Sequence, residues 1–214
     1  MVAVIGLGLT GALSGVFIPY AVQSFSVYKC IKPSAASKGV FTPGRLNIII
    51  CLVSAAVWTL AAIHMESIFG AMLVSLLFGL SVLTALVDLQ INVIPNELVL
   101  ALSVVGIIFQ ASYYGLNSLL ISILCMVIVA GLFAIVAWAL GFSKVGAGDV
   151  KLAGVIGLVL GYPNIISALT IMSISLLLYS QIGLLTRKLT LRSMLPFAPF
   201  MVMGLIVTLV FIIL

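Results

Sequence analysis

Four acidic side chains occur in the 214 residues, Glu66, Asp88, Glu97 and Asp149, so carboxylate chemistry has few places to sit. Asp88 and Asp149 stand out because each lies in a stretch broken by Gly or Pro between long apolar runs. Two carboxylates brought into one small, partly dry site cannot both ionise easily and share a proton. The ionised member can then take a proton from a water attacking a carbonyl. The protonated member donates to the developing oxyanion and then to the leaving group. That pairing needs neither a metal nor a covalent nucleophile, and it is the chemistry of aspartic proteases. The lone His64 and the three cysteines at 30, 51 and 125 offer no rival centre. The cysteines form no CxxC pair, their number is odd, and no metal-ligand spacing is present.

The first stretch reads Val87-Asp88-Leu89-Gln90-Ile91-Asn92-Val93-Ile94-Pro95-Asn96-Glu97. Pro95 fixes its own φ and disfavours helix at Ile94. Asn96 is expected to cap the next helix, with Glu97 meeting that helix's positive end. Glu66, beside His64, reads as a solvated acid in a turn. The second stretch reads Gly146-Ala147-Gly148-Asp149-Val150-Lys151-Leu152. Its glycines suggest unusual dihedrals and close approach by another chain, which suits presenting a carboxylate to an extended peptide. Lys144 and Lys151 either bias the acid pair electrostatically or anchor the chain at a membrane surface.

The elements that must position these groups are membrane helices. Of the residues, 64% are hydrophobic and 6% charged, against about 25% charged in a soluble domain, and the mean hydropathy is +1.47. A water-soluble globule and a disordered chain are both excluded, and no nucleic-acid partner is expected. Apolar runs lie near 2–27, 46–63, 67–87, 97–115, 118–141, 150–162, 165–185 and 194–214. They are apolar all round rather than alternating, so the expected class is an all-α polytopic membrane protein of about eight helices in one domain, 1–214. The first run lacks a basic flank and a cleavage site and is expected to be a retained span.

All nine Lys and Arg fall on alternate connections, at 29, 32, 38, 45, 144, 151, 187, 188 and 192. The positive-inside rule makes that side cytoplasmic and both termini extracytoplasmic. Asp88 then closes the third span and Asp149 opens the sixth on the same cytoplasmic side. Acids beside membrane spans are costly and mark sites. The sixth span is short, which places Asp149 below the membrane surface in a pocket open to cytoplasmic water. The connection 28–45 is basic and carries Pro33 and Pro43; it is a topological anchor or a contact for an anionic or peptide partner. Gly157 and Gly161, like Gly11 and Gly15, have the GxxxG spacing of close helix packing.

These residues resemble the type IV prepilin peptidase family, the GxGD-type membrane aspartic peptidases, over roughly 67–204. The resemblance rests on Asp88 followed by Ile94-Pro95-Asn96, on Gly146-x-Gly148-Asp149-x-Lys151-Leu152, on Gly157 and Gly161, and on Leu195-Pro196-Phe197-Ala198-Pro199-Phe200 near the end. It implies that Asp88 and Asp149 are the catalytic pair, supported by Gly146, Gly148, Lys151, Pro95 and Asn96. It also implies cleavage, at the cytoplasmic face, of the short basic leader of prepilins, pseudopilins and related class III signal-peptide proteins. Membrane lipid is the other partner.

Two features depart from the family's pattern. Many bacterial members carry a zinc-type cysteine tetrad in the first loop and also methylate the new N-terminus with S-adenosylmethionine. This first loop holds only Cys30, so no metal is expected, and S-adenosylmethionine enters only if a methyltransferase activity is retained. Ala198 stands where the family usually has Gly. Two other classes remain open: a presenilin-like intramembrane protease, which shares the GxGD string but pairs it with Tyr-Asp and Pro-Ala-Leu motifs, and a proton-coupled transporter using the acids as a relay.

Overall fold

The structure, a computed structural model, describes residues 2–28, 45–140, 146–186 and 196–214. Among them the regular structure is all helical: α1 Val2–Tyr28, α2 Arg45–His64, α3 Ile68–Ile91, α4 Asn96–Phe109, α5 Leu116–Leu140, α6 Ala147–Leu160, α7 Asn164–Leu185 and α8 Ala198–Ile213. Every predicted apolar run appears as a helix. Most of the basic connection 28–45, together with Cys30, Lys144, Arg187, Lys188, Arg192 and Leu195, lies outside the described residues.

Six helices among the described residues, α1 to α5 and α7, are long and apolar enough to cross a membrane; α4 reaches that length together with the turn that follows it. The other two are short. α6 has 14 residues and α8 has 16, which span about 21 and 24 Å at ~1.5 Å per residue against a hydrocarbon core of ~30 Å. Every residue of α6 from Leu152 to Leu160 is buried. A run that is apolar all round reads the same whether lipid or protein surrounds it, and α6 is surrounded by protein.

One core joins α3, α4, α6 and α8 through Leu77, Leu102, Phe109, Leu152, Val159 and Leu205. A second, formed by Ile18, Val22, Ile50, Val87, Ile91 and Leu98, binds the end of α3 to α1, α2 and α4. In lipid such packing is stabilised by contact rather than by expulsion of water, so small residues at helix crossings matter most. A Cβ at Gly157 would lie 3.0 Å from the Cys125 carbonyl oxygen of α5, and one at Gly15 would lie 2.6 Å from the Cys51 Cα of α2. Gly11, Gly15 and Gly157 therefore serve close helix packing as their spacing predicts, whereas Gly161 lies past the end of α6, where its φ of 60° makes the turn that ends the helix.

The joint between α4 and α6 was not legible in advance. After Phe109 the helix widens into a π turn, Gln110–Tyr114. The buried Gln110 donates from Nε2 to the Val159 carbonyl at 2.7 Å, and its Oε1 accepts from Ser118 Oγ at 3.2 Å. In an α-helix the Val159 carbonyl would receive the N–H four residues on, but that residue is Pro163, which has none. Gln110 fills the vacancy. Gly106 lies against the same residue, with room for no Cβ: one would meet Val159 Cγ2 at 2.8 Å.

Candidate active site

Asp88 lies in the last turn of α3, which continues to Ile91 rather than ending before it. The helix stops at Asn92, whose backbone is left-handed (φ 52°, ψ 35°) and whose N–H donates to the Asp88 carbonyl at 2.8 Å. Asn tolerates this conformation as few other residues do. Val93, Ile94 and Pro95 then run without helix, as the proline predicts, and α4 begins at Asn96.

Asn96 does not cap that helix. The flanking position is Pro95 and no side-chain cap bond forms; Asn96 Oδ1 instead accepts from Lys151 Nζ at 3.0 Å. Proline at the helix boundary removes the position a capping side chain needs, and Asn96 turns outward to the second motif. Glu97 sits in the first turn of α4, where an acid complements the helix dipole.

Asp149 is the third residue of α6 and is half-buried. Its Oδ2 accepts from the Gly146 N–H at 3.2 Å, while its own N–H donates to the Gly146 carbonyl at 3.1 Å. Gly146 thus bonds both the carboxylate and the main chain of Asp149. The glycines play different parts from those expected. Gly146 has φ −70°, and neither it nor Gly148 has a positive φ, so no unusual dihedral is involved. Close approach is real at Gly148, where an added Cβ would lie 3.1 Å from the Ile94 Cβ. The chain that approaches is the protein's own first motif.

The two acids meet at one end of the bundle. Asp88 is 5% exposed, is close enough to Asp149 to feel its charge, and has the Ala198 N–H directed at its carboxylate. Its Oδ2 is buried with no hydrogen-bond partner among the described residues. Ala198 opens α8, with Phe197 before it and Pro199 after it, so the proline-rich stretch contributes a backbone donor. Residue types alone carry no signal for that contact, because it comes from the main chain. His64 and Glu66 are exposed, at the join of α2 and α3, the far end of α3 from Asp88.

Four segments therefore converge: the end of α3, the Asn92–Pro95 stretch, and the first turns of α6 and α8. Two carboxylates in such a place, one buried and the other half-open, could activate a water against a carbonyl if they share a proton.

No curated protein and no solved structure gives a match to the chain. A family model does. It covers residues 75–181, from within α3 through both aspartate segments and into α7. Half the chain, including both acids and the helices that carry them, fits this one description, and the protein belongs to the type IV leader peptidase family.

Proposed function

We propose that the protein is a membrane aspartic endopeptidase that removes the short basic leader of prepilin-like proteins at the cytoplasmic face of the plasma membrane. The observation that carries the reading is the convergence of Asp88 and Asp149 at one end of the bundle. Family membership supports a leader peptidase in general. The sidedness rests on the basic residues, which in the sequence fall in or beside the connections between α1 and α2, α5 and α6, and α7 and α8. By this reading the chain crosses the membrane with both termini outside, and α6 and α8 hold the site inside the protein.

The ionised aspartate accepts a proton from water as its oxygen bonds to the scissile carbonyl carbon. The protonated aspartate donates to the carbonyl oxygen. In the collapse of the gem-diol the C–N bond breaks, and the aspartate that took water's proton gives it to the leaving amine. A diol hydroxyl returns a proton to the other aspartate as the new carboxyl forms, which restores the shared-proton pair. No cofactor takes part in this cleavage, and S-adenosylmethionine belongs only to a separate N-methylation step. The substrate's scissile bond lies between a basic leader and an apolar helix, the depth at which half-buried Asp149 meets the aqueous edge.

Co-expression with a prepilin tests the function. A leader-sized loss of mass that requires this protein, with the new N-terminus at the start of the apolar segment, is the expected result. A prepilin that stays intact, or is cut within its apolar helix, would overturn the reading.

A further inference from the structure

Resting on that reading, we propose that Lys151 and Asn96 form a positioning pair that holds the two aspartate-bearing segments in register. The stretch after Asp88 leaves α3 at Asn92, runs without helix to Pro95 and enters α4 at Asn96. Two contacts tie it to the segment of Asp149. One is apolar: Ile94 packs on Gly148. The other is the Lys151 Nζ to Asn96 Oδ1 hydrogen bond at 3.0 Å, between residues 55 apart in the chain.

The apolar contact sets how close the segments come but leaves them free to slide. A directional bond from a charged donor removes that freedom. Lys151 is two residues beyond Asp149, and Asn96 opens α4 at the end of the stretch that follows Asp88, so the bond ties the two aspartate segments together between exposed side chains, without touching the reacting atoms. Asn is a weak helix former, and this one makes no cap. A mere surface anchor at 151 would need no partner at all. Displacement of a reacting group by ~1 Å is enough to cost a large factor in rate, so the pair acts on turnover rather than on substrate affinity.

The test uses the full chain in detergent and a leader-bearing prepilin peptide, with rates per folded protein. Lys151→Met and Asn96→Leu are each expected to lower kcat about tenfold and leave KM nearly unchanged. The double variant should be no worse than either single one. The exchanged pair, Asn96→Lys with Lys151→Asn, should recover part of the loss, which a purely structural role for either side chain would not produce. Lys151→Gln, a shorter donor, should fall between wild type and Lys151→Met and serves as the second variant where the methionine one fails to fold. Wild-type kcat in a folded Lys151 variant, losses that multiply in the double, a loss confined to KM, or failure of both Lys151 variants to fold would overturn the pairing. Asp88→Asn and Asp149→Asn are run alongside. If these retain activity the reading of the site fails; if they are inactive while the pair variants keep wild-type kcat, only the pairing fails.

Discussion

Asp88 and Asp149 are held in different ways, and the difference shows which neighbours matter. Asp149 is bonded within its own helix turn by Gly146, whereas Asp88 is buried, with the Ala198 N–H directed at it from far along the chain. Gly148 is where the two segments touch. Gly148→Val should force Ile94 away, since even a Cβ would lie 3.1 Å from it; overpacking of this kind costs about 1–3 kcal/mol. Leader cleavage should fall at least about tenfold if that strain goes into separating the acids, and Ile94→Ala in the same chain should restore part of it. Kinetics of the single and double variants check this. At this scale the acid pair was legible because so few acids exist in a lipid-solvated chain. The Lys151–Asn96 bond was not, because each residue has an adequate local explanation, an anchor and a cap, and only the fold sets the cap aside and brings the two together.

The helices were legible as elements, but their environments were not. Apolar runs reveal helices by length and composition, yet α6 is enclosed by protein while α5 and α7 leave many large apolar side chains exposed, and the sequence pattern is the same for both. The π turn was hidden because nothing in Gln110–Tyr114 taken alone demands it. What the turn accompanies is a contact made only in the fold: Gln110 donates to the Val159 carbonyl, one of the unpaired carbonyls at the end of α6. Gln110→Leu should therefore destabilise the protein by about 1–3 kcal/mol, the cost of an unsatisfied buried polar group, read as a lower thermal midpoint in detergent. Gly157→Val should destabilise comparably by pressing on the α5 backbone 3.0 Å away. Both sites lie toward the opposite end of the bundle from the acids, Gly157 about two turns along α6 from Asp149 and Gln110 past the far end of α4, so activity per folded protein should change less than stability does.

At the scale of the whole molecule, the bundle places its acids at the end joined by the basic connections. In a chain freed of Cys30, Cys51 and Cys125, single cysteines at Lys38, Lys144 or Lys188 should label from the cytoplasmic side, and one at Asn164 from the opposite side. The reverse pattern would place the site outside the cell, away from the basic leaders it is proposed to remove. The central claim is that Asp88 and Asp149 work as one proton-sharing unit, and groups that act as a unit lose activity together rather than independently. Turnover of a leader-bearing prepilin peptide by the purified protein, compared with Asp88→Asn, Asp149→Asn and the double variant, tests it most directly. We expect each single substitution to lower turnover by about a thousandfold or more and the double to be no worse than either; wild-type turnover in either single variant, or losses that multiply in the double, would contradict the shared unit.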